Sequence, residues 1–204
     1  MIKKIVTLII ATVLLGTITV LPVSAAQKTK TTYIPKYNYM EYECKPGTME
    51  NTKTYWQIKS TRVMSKSGLT TDELRKGLIG ELQPFAEDFL RIEREYGINA
   101  VFFAAICATE SGWGAYPVSK NNYMSWTTDT KYYYEFDTPY ECFEYGAKRL
   151  VSAFLHKDGA CYNGDYIRDV NICYAINSDN TINWMWYETI TDVVYGILQR
   201  AYAE

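Results

Sequence analysis

The chain has 204 residues, with 21 basic and 23 acidic side chains and a formal charge of −2 at neutral pH. That balance gives no basic footprint for a nucleic-acid backbone, so nucleic acid is excluded as a partner on charge. With one His, His156, and no C-x-x-C or His/Cys cluster, the sequence implies neither a metal centre nor a cofactor.

Residues 1–25 read as a secretory signal peptide: Lys3 and Lys4, an apolar run from Ile5 to Leu21, then the small-residue site Val23-Ser24-Ala25. The apolar run approaches a membrane span in length, so an uncleaved anchor is the rival reading. The small residues and the polar Gln27-Lys28-Thr29-Lys30 favour cleavage after Ala25. Cleavage leaves 179 residues with 19 basic and 23 acidic side chains, a net −4. That is one ordinary domain with its own core, expected as a secreted monomer with no stable membrane insertion.

Residues 26–66 are rich in Thr, Lys and Tyr with little helical period, and read as a linker or an extended N-terminal arm. Residues 67–204 form the domain proper. Thr70-Thr71-Asp72-Glu73 is a capping box. Leu74, Leu78, Leu82, Phe85, Phe89 and Ile92 then recur at three and four, one helical face. Gly77, Gly80 and Pro84 argue for two helices, with Pro84 in the first turn of the second and Gly97 at its end.

The next stretch carries the chemistry. Asn99 is placed to cap a helix whose residues Ala100 to Ala108 are all apolar, a pattern that predicts burial on every side. Glu110 closes that helix and is followed by Ser-Gly-Trp-Gly. Loss of water and the negative end of the helix dipole both disfavour its ionised form, which raises its pKa toward that of a general acid at neutral pH. The bland alternative is a first solvated residue after a core helix. Gly112 and Gly114 allow a tight turn beside the carboxyl, Trp113 offers a flat face for a sugar ring, and Asn121 and Asn122 supply amides.

Thr127 to Phe136 is a Thr- and Tyr-rich stretch able to pair as a small hairpin. A second capping box, Thr138 to Glu141 with Pro139 in the first turn, opens a helix running to about His156, which reads as a partner of the helix dipole. Asp165 is placed to cap a further helix through Tyr174. Trp184 and Trp186 open a last one, with Ile190, Val193, Ile197 and Leu198 inward. Of five Cys, Cys107 falls within the apolar helix as a buried thiol. Cys44, Cys142, Cys161 and Cys173 can form at most two bridges, Cys161–Cys173 being the local candidate.

The stretch A-x-x-x-E-S-G-W-G, preceded by E-x-E-Y-G-I-N-A and followed by K-N-N-Y, resembles the bacterial glucosaminidase family. Its members are endo-β-N-acetylglucosaminidases that cut peptidoglycan, among them flagellar-rod hydrolases and autolysins. The resemblance runs from near Ser67 to the C-terminus. It implies an α+β, mainly α, lysozyme-like fold with a small, shortened β-lobe. It also implies hydrolysis of the β-1,4 bond after N-acetylglucosamine at the cell wall, with Glu110 as general acid.

In the family a second acid often sits on the β-lobe. Here Asp129 and Glu135 are the candidates, and Asp137 reads as structural. Tyr174-Ala175 matches a family pair that brings a phenol to the cleft, so Tyr174 joins the catalytic set. Trp113, Asn122, Tyr123 and Trp126 are the expected contacts to the glycan strand. Met124-Ser125 stands where the family commonly has Phe-Gly, which reshapes the cleft floor. A lytic transglycosylase or muramidase using the same Glu, and a non-catalytic wall-binding or assembly protein, are the alternatives.

Overall fold

The computed structural model describes residue 59 and residues 61–128 and 132–203. The signal segment, nearly all of the arm, Cys44 and Asp129 lie outside the described residues. Six α-helices lie wholly within the described residues. Helix α1, Thr71–Gly77, starts at the expected capping box: Glu73 N–H donates to the Thr70 hydroxyl, and Thr70 N–H donates to Glu73 Oε2 at 2.7 Å. A 3₁₀ segment, Gly80–Phe85, leads into α2, Ala86–Tyr96. Pro84 therefore sits inside the 3₁₀ segment and not in the first turn of α2. A residue with no N–H and a fixed φ fits that short, tight turn better than the helix that follows.

Helix α3, Ala100–Ser111, is the axis of the molecule. Asn99 Oδ1 accepts the N–H groups of Val101 and Phe102 at 3.0 and 3.1 Å. Glu93 Oε2 accepts that of Ala100 at 2.9 Å, so two side chains satisfy the open amides of the first turn. Every residue from Ala100 to Ala108 is buried. The uniform apolar run is explained by neighbours on all sides: α2 packs on one flank and α6, Trp184–Ala201, on another. Helix α4, Pro139–Leu150, continues as a π turn, Val151–Leu155, and packs on α2. Phe89 and Phe143 meet between these helices at 4.9 Å, with Phe103 of α3 against both. Helix α5, Ile167–Tyr174, and α1 both lie on α6.

Residues before Ser67 also belong to this body. Val63 is buried; its N–H donates to the Asp165 carbonyl and its carbonyl accepts Asn99 N–H, both at 2.8 Å. The end of the arm thus crosses the N-terminus of α3.

The mainly helical expectation holds, but α+β overstates the sheet. Among the described residues there are only isolated bridges, Arg62 with Tyr166, Thr127 with Tyr133 and Ile176 with Ile182. The expected hairpin amounts to the Thr127–Tyr133 bridge flanked by Thr128 N–H to Tyr132 O at 2.9 Å and Tyr134 N–H to Trp126 O at 3.0 Å. Beyond it, Tyr134 and Phe136 turn their rings onto Tyr145 of α4 at 5.1 and 5.7 Å, so packing on a helix replaces further pairing.

Asp165 does not cap α5. It accepts the Tyr162 hydroxyl at 2.8 Å and pairs with Arg62 at 3.1 Å, while the Asp169 carboxylate takes the Tyr166 N–H. His156 ends the π turn, its Nδ1 accepting the N–H of Asp158 at 3.3 Å. Cys161 and Cys173 form a disulfide, and Cys107 and Cys142 are buried thiols. Among the described residues no helix is long and apolar enough to cross a membrane, and no group of His, Cys, Asp and Glu could hold a metal ion.

Candidate active site

The end of α3 is built to stop sharply. Gly112 takes the left-handed conformation at φ 57° and gives its N–H to the Ala108 carbonyl, which also accepts Trp113 N–H at 2.8 Å. The Ser111 hydroxyl donates to the Cys107 carbonyl at 2.6 Å and accepts Gly114 N–H at 2.9 Å. Those bonds fix the last turn, and with it the direction in which Glu110 leaves the helix.

Glu110 points toward the start of α6, where Trp186 Nε1–H donates to its Oε1 at 3.4 Å. The Ser125 hydroxyl donates to the Glu110 main-chain carbonyl at 3.3 Å. Burial holds the Glu110 carboxyl above the ordinary value of 4.5, and the Trp186 and Ser125 donors act in the opposite sense by favouring the ionised form. Desolvation wins. The acid form of Glu110 therefore persists to a higher pH than that of an ordinary Glu.

Tyr174, at the end of α5, lies with its ring 4.7 Å from that of Trp186 and inclined by 33°. Its ring also meets Phe154 at 5.5 Å, and Trp126 stands edge-on at 6.4 Å. Burial, and next the proximity of Glu110, hold the Tyr174 phenol well above its usual range. The structure thus brings Glu110, Tyr174 and Trp126 into one aromatic-walled corner, closed by Trp186.

The other expected residues stand elsewhere or are engaged. Asn122 is fully buried: its Oδ1 accepts Trp126 N–H, and its Nδ2 donates to the carbonyls of Trp126 and Tyr134. Tyr123 packs against Phe85 and Phe143 at 5.4 and 5.7 Å. Trp113 carries the Arg200 guanidinium 5.2 Å from its ring, beside the far end of α6. Glu135 is exposed, between Tyr134 and Phe136, whose N–H groups bond the carbonyls of Trp126 and Lys120. Asp137 pairs with Lys120 at 3.1 Å. A cavity lined by Ser67, Asn99, Val101, Val194 and Leu198 lies at the opposite end of α3 from Glu110.

Solved structures of similar shape come from S. aureus autolysin E. A catalytic mutant in complex with the disaccharide NAG-NAM is 15% identical, over 67% of this chain and 70% of that one, with a TM-score of 0.46. The complex with the muropeptide NAM-L-Ala-D-iGlu gives 14% identity, the same coverages and a TM-score of 0.47. A further autolysin E structure gives 16%, 72% and 73%, and 0.40. No protein-family model and no curated protein sequence matches the chain. At these identities and scores the likeness assigns no role to any residue here.

Sequence reasoning did not single out Trp186 or Ser125 as neighbours of Glu110. Trp186 sits in the first turn of an inward-facing helix and reads as core. Ser125 has a φ of 56°. Trp113 and Asn121 also have positive φ, at 60° and 54°, so three non-glycine residues between Glu110 and Trp126 hold a conformation disfavoured by their Cβ atoms.

Proposed function

We propose that the chain is a secreted peptidoglycan hydrolase of lysozyme-like fold that cleaves the β-1,4 bond after N-acetylglucosamine. The observation that carries this reading is Glu110 itself, a carboxyl desolvated at the end of a wholly apolar helix, within an E-S-G-W-G motif of the glucosaminidase type.

In the reaction, protonated Glu110 gives its proton to the glycosidic oxygen as the C1–O bond breaks. The carboxylate left behind keeps the indole N–H of Trp186, which stabilises it. Positive charge develops on the sugar ring carbon, and the electron-rich face of Trp126 is suited to it. Water attacks C1 with help from Glu135 or Asp129, or after the substrate's own acetamide has closed on C1. Carboxyl separations of about 6.5–9.5 Å belong to an inverting pair and about 5–5.5 Å to a retaining one. Trp126, edge-on to Tyr174, is the aromatic contact to the sugar in this reading; Asn122 holds the backbone behind it, Tyr123 packs on Phe85 and Phe143, and Trp113 carries Arg200. The glycan strand is the partner, and the enzyme acts as a monomer outside the cell.

The test is mass spectrometry of muropeptides released from purified peptidoglycan, with Glu110→Gln as control. New reducing N-acetylglucosamine ends that vanish in the variant are expected. Reducing N-acetylmuramic ends would make it a muramidase, and anhydro ends a transglycosylase. No release from any wall would leave a binding module.

A further inference from the structure

The carboxyl of Glu110 has two oxygens, and the structure treats them differently. Oε1 faces the indole N–H of Trp186 at 3.4 Å. An indole nitrogen donates and never accepts, so the oxygen opposite it must present a lone pair in both ionisation states. In a neutral carboxyl the carbonyl oxygen is the stronger acceptor, so the indole N–H on Oε1 favours the proton on Oε2. Trp186 is itself held: it is buried in the first turn of α6, and Tyr174 covers its ring at 4.7 Å.

We propose that Trp186 is a positioning residue for Glu110: its N–H occupies Oε1, so that Oε2 is the oxygen that carries the proton and delivers it, and Tyr174 acts on the reaction partly by fixing the Trp186 ring. The consequence for catalysis rests on the reading of Glu110 as general acid. The hydrogen bond and the choice of oxygen do not.

The geometry explains why an aromatic donor suits this place. A charged donor would stabilise the carboxylate strongly and cancel the effect of burial. A purely apolar ring would leave Ser125 alone to favour the conjugate base after proton transfer. An indole lies between these cases. The ionisable groups facing the carboxyl are Tyr174 from α5, Cys107 from its own helix and, beyond Cys107, Cys142 from α4. Burial pushes all three upward, Cys142 to about 11, so none of them titrates between pH 4 and 8. α6 contributes the neutral Trp186. In that range a change sensed by the Trp186 N–H reports Glu110.

The test is an NMR titration of the full chain from pH 4 to 8. It follows the Glu110 carboxyl carbon and the indole N–H signals, of which the five Trp give five. The Trp186 indole shift is expected to move with the same midpoint as the Glu110 carboxyl and to lie flat in Glu110→Gln. In Trp186→Phe the Glu110 midpoint should rise. On released muropeptides, kcat should fall by up to about 100-fold with KM little changed, as for a misplaced catalytic group. If Trp186→Phe fails to fold, the parent titration still decides. A Trp186 signal that stays flat while Glu110 titrates overturns the proposal. Co-titration in a protein that releases no muropeptide would uphold the positioning and sink the hydrolase reading instead.

Discussion

Asn122 Oδ1 accepts the N–H of Trp126 at 3.0 Å while Asn122 Nδ2 donates to the carbonyl of the same residue at 2.8 Å. One buried amide therefore closes both ends of the loop that carries Tyr123, Met124 and Ser125, and its second donor ties that loop to Tyr134 at 3.0 Å. Asn122→Ala leaves the Trp126 N–H without its acceptor, while the Trp126 carbonyl keeps the Tyr134 N–H and the Tyr134 carbonyl keeps the Ser119 hydroxyl, at a cost of about 1–3 kcal/mol. Asn122→Asp keeps the acceptor but faces an anion toward two carbonyls, and should be worse at neutral pH than at pH 4. Urea unfolding of both variants at the two pH values checks this.

Gly146 on α4 is a second constraint on the same loop. A Cβ there would stand 2.9 Å from Met124 Cε and 3.1 Å from Trp126 Nε1. That nitrogen is buried with no hydrogen-bond partner among the described residues, and Met124 is almost wholly buried. Neither can withdraw without moving the cleft floor. Gly146→Ala is expected to destabilise the fold by about 1–3 kcal/mol through overpacking. Adding Met124→Ala should return part of that loss, and a double-mutant cycle on thermal unfolding reads the coupling.

Glu110 ties activity and stability to pH in the same sense. Its folded-state pKa is raised, so folding favours the protonated form. The associated stability is fully present below the unfolded value near 4.5 and is lost as pH rises through the raised folded value. Glu110→Gln removes the penalty of burying a carboxylate. It should therefore be more stable than the parent at pH 7 and no more stable below pH 4.5. The parent's hydrolysis rate should fall as pH rises through the same folded-state value, because the acid form is lost. Calorimetry and a pH–rate profile give the two curves.

Much of this was legible from residue spacing. The Thr70 box, the Asn99 cap and the apolar stretch from Ala100 to Ala108 specify α1 and α3 by local rules, and Glu110 inherits its environment from that helix. What the chain does not spell out is which side chains from distant segments converge there. Trp186 follows Glu110 by 76 residues, and nothing in its own surroundings separates a core Trp from one that faces a carboxyl. Asn122 misleads for the opposite reason: an Asn beside a cleft motif suggests a sugar contact, and only burial tells that its amide serves the backbone. Asp165 looked like a cap because Asp is a good N-cap, but the Arg62 guanidinium and the Tyr162 hydroxyl claim it first.

The disulfide supplies the last prediction. Cys173 immediately precedes Tyr174, and its bond to Cys161 anchors the last turn of α5 to the loop that precedes the helix. α5 has eight residues and little helical stability of its own. The closed loop is short, with the two Cys 12 positions apart, so the chain-entropy gain is about 3 kcal/mol. Replacing both Cys by Ser should lower unfolding stability by roughly that amount. It should also loosen the Tyr174 ring on Trp186 before the core opens, because α3, α2 and α4 do not depend on the bridge. Amide exchange is expected to quicken first across Ile167 to Tyr174, with the amides of α3 still protected. Equal loss of protection in both helices would mean that the bridge supports the whole domain and not the Tyr174 corner.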